Sequence, residues 1–282
     1  MRIAVIGATG VLGAHTVPRL IERGHAVNAL GTRPEALRRL EALGARCFAG
    51  SILDKRSLLP ALAGCDAALQ LATAVPRPEE KPDWARNDVI RREGTACMLE
   101  ACGESRVARY VQQSIAMLTA DPTRGWSDES SPMFTVPAWR SAADMEAMVR
   151  AADLDWRIVR GGLFYGPGTG REAMWRELAR RGELAIPGDG GDFVSLVHVA
   201  DMAEAVVLAA ESDSGRFVVA AVDDEPVSYA ELFRYVAAAA GAPEPRPDGP
   251  AAMPSFRVRN ANAKRRLGWA PFYRTYRSGL TG

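Results

Sequence analysis

Three glycines near the start of the chain have the spacing of a phosphate-binding turn. They are Gly7, Gly10 and Gly13 in the stretch GATGVLG, which follows the apolar run RIAVI and opens an amphipathic segment. In such a turn the first glycine permits the tight bend, the second lets backbone N–H groups approach a pyrophosphate, and the third lets helix and strand pack closely. The N-terminus of the next helix presents partial positive charge to the phosphates. The stretch predicts a dinucleotide site, with a purely structural turn as the alternative.

A second cluster about twenty residues later bears on which dinucleotide is bound. An acidic residue at the end of the second strand would bind the ribose 2′-hydroxyl of NAD and repel a 2′-phosphate. This chain has Gly31, Thr32 and Arg33 there instead. A guanidinium binds a phosphate through two parallel hydrogen bonds, and a threonine hydroxyl can add another. The sequence therefore favours NADP(H), with NAD still possible and with a solvated Arg33 at the start of the next helix as the alternative.

Short apolar runs alternate with helical patterns over the first two-thirds of the chain. Such alternation is typical of a parallel sheet covered on both faces and connected by right-handed crossovers. It predicts a doubly wound α/β fold of the Rossmann type, with Asp54 capping one helix. The predicted strands cover 2–7, 26–31, 45–50, 66–72, 108–114 and 156–161, and the predicted helices cover 11–23, 35–43, 55–63, 84–103 and 139–152.

Polar and proline-rich stretches at 73–84 and 120–132 follow predicted strands on one edge of the sheet. Ligands bind at this edge in open α/β sheets, so both stretches are candidate pocket walls, with plain surface loops as the alternative. A third such stretch covers 241–254, and the alternation weakens after Gly166. We therefore expect a dinucleotide-binding domain over 1–165 and a smaller, interleaved α/β substrate lobe over 166–282.

Composition excludes several other classes of protein. The net charge of +1 gives no basic field for nucleic acid, and no apolar run reaches the length of a membrane span. Three scattered histidines and four cysteines without CxxC spacing make a metal site unlikely and predict reduced thiols in a cytoplasmic protein. Because a strand-like run begins almost at Met1, we expect no cleavable signal.

Several motifs along the chain resemble those of the extended short-chain dehydrogenase/reductase family, the group that contains NAD-dependent epimerases and dehydratases. GATGVLG resembles its TGxxGxxG, GSILD (50–54) its GDxxD with Ser51 at the first acidic position, and NDVIRREGT (87–95) its NVxGT helix. LQLAT (69–73), VRGGLFYGPG (159–168), LVHVADMAEAV (196–206) and AKRRLGWAP (263–271) resemble further signatures. The glycine turn and this resemblance together indicate the cofactor-binding residues Gly7, Thr9, Gly10, Val11, Leu12, Gly13, Thr32, Arg33, Ser51, Ile52, Leu71, Ala72, Thr73, Gly162 and Leu163.

The chain departs from this family at its catalytic helix. The family places a tyrosine and a lysine four residues apart, where the tyrosine exchanges the substrate proton and the lysine holds the nicotinamide ribose. Glu146 matches a glutamate four residues beyond that lysine, and counting back by fours reaches Ala142 and Ala138. No tyrosine lies between Tyr110 and Tyr165, and no lysine lies on this helix. The pair is therefore absent rather than misaligned.

Other residues are candidates for the missing chemistry. YVQQSIAM (110–117) resembles the strand that ends in the family's active-site serine, which places Ser114 in that role. Arg140 flanks Ala138 and Ala142 and could stabilise negative charge, with a solvated helix residue as the alternative. Tyr165 is a third candidate, with a role in packing as the alternative. The adjacent Asp128 and Glu129 could act as acid or base, although solvated loop carboxylates are the more common case. We expect His198 to have a structural role or to support a residue of the site without contacting the substrate, and we expect Asp201 to cap the next helix.

Three functions remain compatible with the sequence. The first is an NADP(H)-dependent oxidoreductase or epimerase-like enzyme that acts on a small organic metabolite with a non-standard proton source. The second is a non-redox cyclase or lyase on the same scaffold, and the third is a nucleotide-sensing regulator that resembles the NmrA-like branch of the family. The expected partner is a small-molecule substrate, and we expect binding to neither nucleic acid nor membrane. The family resemblance implies a possible homodimer through helices 84–103 and 139–152.

Overall fold

A computed structural model of the protein describes residues 1–76, 83–134, 136–213, 215–248 and 254–280. The strands in this part of the chain include seven that form one central sheet and several shorter ones. In chain order they are β1 (Arg2–Ile6), β2 (Ala26–Gly31), β3 (Arg46–Ala49), β4 (Ala67–Gln70), β5 (Arg109–Ile115), β6 (Trp126–Ser127), β7 (Asp155–Gly161), β8 (Leu163–Tyr165), β9 (Phe193–Val194), β10 (Leu196–His198), β11 (Phe217–Ala221), β12 (Val227–Ser228) and β13 (Arg257–Val258).

The central sheet is parallel, with the order β11-β7-β5-β4-β1-β2-β3. The chain therefore builds outward from β1 in two directions, and the direction reverses between β1 and β4. Residues such as Ile3, Val5 and Val111 are fully buried because helices cover both faces of the sheet. The reversal leaves a crevice at the carboxyl ends of the strands, where ligands bind in folds of this kind.

The helices that cover the sheet are amphipathic segments between the strands. They are α1 (Val11–Glu22), α2 (Pro34–Ala42), α3 (Lys55–Leu62), α4 (Trp84–Val89), α5 (Thr95–Glu104), α6 (Arg140–Ala151), α7 (Arg171–Arg180), α8 (Val199–Glu211), α9 (Tyr229–Ala239), α10 (Ala261–Leu267) and α11 (Tyr276–Gly279). A π turn, Ile90–Gly94, joins α4 to α5, and short 3₁₀ turns cover Ala116–Thr119 and Pro137–Trp139.

The expected doubly wound α/β fold is confirmed. Each predicted strand, and each predicted helix other than 84–103, is found within about two residues of its expected bounds. Asp54 caps α3 by accepting a 3.0 Å hydrogen bond from Arg56 N. The helix expected over 84–103 differs from its prediction because the π turn interrupts it. Such turns insert one extra residue and occur often at functional sites.

The second part of the chain is threaded through the first. Strand β11 joins the central sheet beside β7, and α8 packs against α1, while β8 with β10 and β9 with β12 form small separate sheets. The division at residue 166 stays a prediction. In the described part of the chain, no helix is long and apolar enough to cross a membrane, and no group of acidic, histidine or cysteine side chains is placed to hold a metal ion.

Candidate cofactor and active site

The glycine turn after β1 is a tight bend with no room for a side chain at two of its glycines. Gly7 has φ +85°, and a Cβ there would lie 2.5 Å from Ala72 N; a Cβ on Gly13 would lie 2.4 Å from Gly7 O. The bend is tightened because Gly7 N and Ala8 N both donate to Leu30 O at 3.0 Å. Helix α1 begins at this turn with no acidic residue in its first turn and, among the described residues, no side-chain cap. Its first N–H groups are thus available to an anion.

The residues predicted to bind the cofactor all follow carboxyl ends of strands in the central sheet. They lie after β1 (Gly7–Gly13), β2 (Thr32 and Arg33), β3 (Ser51 and Ile52), β4 (Leu71–Thr73) and β7 (Gly162 and Leu163). The fold therefore brings them to one edge, although their contacts with a cofactor stay predictions. Residues 77–82 of the expected pocket wall at 73–84 lie outside the described residues.

Arg33 is the exposed residue that immediately precedes α2. Among the described residues, no carboxylate oxygen lies within 4.0 Å of its guanidinium, and Thr32 beside it is also exposed. Pro34 at the first helical position fixes the backbone direction there. The guanidinium is therefore open to a phosphate at the end of β2.

The two alanines of the catalytic helix occupy different environments. Ala138 is exposed in the 3₁₀ turn before α6. Ala142 is fully buried in α6 and belongs to an apolar cluster with Trp139 and Leu163. Position 138 is therefore accessible to water, whereas position 142 is buried from solvent and carries no polar group.

Ser114 belongs to a buried polar network. Its hydroxyl donates a 2.7 Å hydrogen bond to Glu146 Oε1, and Arg160 donates to both oxygens of the same carboxylate at 2.8 and 2.7 Å. All three residues are at most 1% exposed. The network ties β5, α6 and β7 together, and it holds the Ser114 hydroxyl against Glu146.

The structure does not bring the three predicted catalytic residues together. Among the described residues, no hydrogen bond joins Ser114, Arg140 or Tyr165 to another of the three. Arg140 is exposed at the start of α6. Tyr165 is fully buried, its hydroxyl is 3.5 Å from Thr275 O, and burial raises its pKa above the usual value. Their catalytic roles stay predictions.

The two loop carboxylates have defined partners. Glu129 accepts a 2.5 Å hydrogen bond from Ala220 N on β11, and burial raises the pKa of its carboxyl. Asp128 accepts hydrogen bonds from the hydroxyl and N–H of Ser130, which lower its pKa. Asp128 is thus an anion, and Glu129 is the one of the two whose environment favours a bound proton.

The expectation that Asp201 caps α8 is wrong. His198 caps that helix, because its Nδ1 accepts a 3.2 Å hydrogen bond from Ala200 N. Asp201 instead accepts hydrogen bonds of 2.9 Å from Phe272 N and Tyr273 N and so anchors the C-terminal segment. Burial lowers the pKa of His198 to about 4, so the imidazole is neutral at physiological pH.

Sequence reasoning missed two polar residues near the predicted site. Asn87 is fully buried, and its Oδ1 accepts a 3.0 Å hydrogen bond from Ala74 N in the loop after β4. Arg91 in the π turn is 9% exposed, and its Nη1 lies 3.3 Å from Ser141 Oγ on α6. The sequence offers only a weak signal for Arg91, because Arg92 beside it has the same chemistry and is partly exposed.

Comparison with known proteins identifies reductases and nicotinamide-binding enzymes. A family model described as NAD(P)H-binding matches residues 7–213. The 3-diazoavenalumate denitrifying reductase of Streptomyces sp is 32% identical over 99% of this chain and 99% of its own. The 2-alkyl-3-oxoalkanoate reductase of Stenotrophomonas maltophilia (strain K279a) is 30% identical over 86% of this chain and 77% of its own. The solved structure of MoeE5 with UDP-glucuronic acid and NAD is 25% identical, has a TM-score of 0.82, and covers 99% of this chain and 96% of that one.

Proposed function

The chain belongs to the extended short-chain dehydrogenase/reductase family of NAD(P)H-binding enzymes, and we propose that it is an NADPH-dependent reductase whose substrate takes up a hydride without a proton from an enzyme side chain. The bound nicotinamide would supply the hydride. The observation that carries this proposal is the pairing of an intact glycine turn with a catalytic helix that has alanine at both proton-relay positions.

Carbonyl reduction is a demanding reaction for such a site. The carbonyl oxygen must gain a proton as the carbon gains hydride, and a positioned proton donor typically contributes about 10²- to 10⁴-fold to the rate. Neither Ala138 nor Ala142 can donate a proton. The Ser114 hydroxyl already donates to Glu146. A substrate that needs only hydride avoids this requirement.

Reductive loss of a diazo group is a reaction of that kind. An arenediazonium ion accepts one hydride, its C–N bond breaks, a C–H bond forms and N₂ leaves with the electron pair of the broken bond. The balance contains no proton. The relative that matches this chain from end to end is named for a denitrifying reduction of 3-diazoavenalumate, which is a carboxylate by name. We therefore propose a diazo-bearing aryl carboxylate as the substrate class.

NADPH rather than NADH is proposed on the evidence of Arg33 and Thr32. Both are exposed beside the end of β2, and neither of these two residues, which follow the strand directly, is an acid that would repel a 2′-phosphate. A charge-assisted pair of hydrogen bonds from Arg33 would hold the phosphate.

The test uses 3-diazoniocinnamate, prepared from 3-aminocinnamate and nitrite, with NADPH deuterated in turn on each face of C4. We expect one N₂ released for each NADPH oxidised, and a primary isotope effect with only one of the two labelled cofactors. Loss of N₂ without NADPH oxidation would reject a redox enzyme and favour a lyase. NADPH oxidation with a panel of ketones, but none with the diazonium compound, would instead favour carbonyl reduction with water at the exposed position 138 as the proton source.

A further inference from the structure

Helix α4 and the π turn carry two buried polar side chains. Asn87 and Arg91 are four residues apart, which places them on the same side of this helical segment. Asn87 is fully buried and Arg91 is 9% exposed. Buried positions usually carry apolar residues, but these two carry polar ones.

Both side chains have hydrogen-bond donors without an adequate acceptor. Asn87 Nδ2 has no partner among the described residues. Arg91 makes one long hydrogen bond, to Ser141 Oγ, and within the described ranges no carboxylate oxygen lies within 4.0 Å of its guanidinium. Burial lowers the pKa of Arg91, against the opposing effect of Asp88. Buried donors of this kind are stabilised when an anion accepts their hydrogen bonds.

The adjacent arginine shows that this arrangement is specific to one position. Arg92 is 42% exposed, and its Nε donates a 2.7 Å hydrogen bond to Asp144 on α6. Arg92 therefore has the surface ion pair expected of an arginine in a helix. The same charge one residue earlier is buried, and no carboxylate of the described residues forms an ion pair with it at contact distance.

The two donors lie beside the predicted nicotinamide end of the crevice. Asn87 holds Ala74, directly after Leu71–Thr73, and Arg91 contacts Ser141, directly before Ala142. The donors thus lie between the loop expected to line the cofactor and the helix that lacks the tyrosine and lysine. An anionic group of the substrate held there would leave the rest of the molecule at the hydride-transfer position.

We propose that Asn87 and Arg91 bind the carboxylate of the substrate, an inference that rests on the proposed reduction of aryl carboxylates. The guanidinium presents two parallel N–H groups to the two carboxylate oxygens, and Asn87 Nδ2 supplies a further donor. Binding of the carboxylate gives the buried arginine its missing counter-ion and fixes which end of the substrate faces the cofactor.

The test measures discrimination between an acid and its ester. The probes are 4-hydroxycinnamate and methyl 4-hydroxycinnamate, titrated by calorimetry into the full-length protein saturated with NADP⁺. We expect the wild type to bind the acid more tightly than the ester, and Arg91→Met to weaken binding of the acid about 10- to 100-fold, as charge-assisted hydrogen bonds predict, while the ester is unaffected. The matched control Arg92→Met should retain the discrimination. Because methionine replaces a buried unpaired charge, Arg91→Met should fold at least as stably as the wild type.

Two results would overturn the inference. One is an acid-to-ester affinity ratio that Arg91→Met leaves unchanged. The other is a loss of NADP⁺ affinity in Arg91→Met with that ratio intact, which would assign the arginine to the cofactor. Arg91→Lys provides a second reading, since it retains charge without the planar pair of donors and should bind the acid with intermediate affinity. These binding measurements do not depend on turnover of the diazonium compound, so failure of the proposed reaction and failure of the carboxylate site remain distinguishable.

Discussion

Replacement of Glu146 by leucine should destabilise the protein more than most single substitutions. Glu146 is fully buried and accepts hydrogen bonds from Ser114 Oγ and from Arg160 Nε and Nη2. Arg160 Nη1 already lacks a partner among the described residues. Glu146→Leu would leave the whole guanidinium unpaired in the core. Removal of one member of a buried ion pair costs about 3–5 kcal/mol, which is a large part of a typical unfolding free energy of about 5–15 kcal/mol.

Urea unfolding of a matched set of variants measures this cost. Glu146→Leu should lower the free energy of unfolding by about 4 kcal/mol. The double variant Glu146→Leu with Arg160→Met removes both charges and should recover most of that loss, leaving about 1 kcal/mol for the Ser114 hydroxyl, whose acceptor is gone. The control is Arg150→Met, because Arg150 lies 3.4 Å from the same carboxylate but is 38% exposed, and it should cost less than about 1 kcal/mol.

Two outcomes would refute this account of the network. A loss below about 1 kcal/mol for Glu146→Leu would mean that water or a rearranged side chain satisfies Arg160. A double variant no more stable than Glu146→Leu alone would mean that the shape of the glutamate, rather than its charge, is what the site requires.

Three further substitutions test other parts of the site. Arg33→Ala should weaken NADPH binding about 10- to 100-fold and NADH binding about threefold at most, measured by fluorescence titration, and equal losses would reject the phosphate contact. Asp223→Asn should remove a pH dependence of the protein's stability. Burial raises the pKa of Asp223 to about 9, so the folded protein keeps a proton that the unfolded carboxyl loses near pH 4, and the wild type should lose up to about 1.4 kcal/mol of unfolding free energy per pH unit between pH 7 and 9. A variant with the same slope would contradict this. Gly13→Ala should abolish nucleotide binding in a calorimetric titration, because the added Cβ would lie 2.4 Å from Gly7 O. The control is Gly103→Ala on α5, which should bind nucleotide like the wild type because a Cβ there meets nothing within 4 Å.

The fold and the cofactor edge were predictable because they depend on local patterns. Strands such as β1 and β2 are largely apolar because both faces of the sheet are covered. The glycine turn marks the point where a strand ends and a helix begins. Once the strands are parallel, the segments after them must meet at one edge. The position of Arg33 followed from this rule alone.

Side-chain direction at the site was not predictable in the same way. Ser114 is at the end of β5, and alternation along a strand says that Ser114 and Ile115 face opposite sides without saying which side packs on α6. Arg91 and Arg92 are adjacent residues of the same type in the π turn, and the residue pattern does not predict which of the two is buried. His198 rather than Asp201 caps α8 because the C-terminal segment, distant in sequence, supplies N–H donors to Asp201.

The alanine at position 142 is also what the positively charged diazonium group of the proposed substrate requires. A lysine there, at about 5 Å from a diazonium group, would repel it by about 3 kcal/mol at an effective dielectric constant of about 20, and a tyrosine at 138 would offer a phenol ring that diazonium ions attack. Ala142→Lys should therefore reduce turnover of the diazonium probe by about 100-fold. Ala142→Met has similar length without charge and meets the same buried surroundings, so it measures the steric part of the loss in steady-state assays at saturating NADPH. Equal losses in the two variants would mean that crowding, and not charge, excludes lysine, and the argument for a diazonium group beside position 142 would fail.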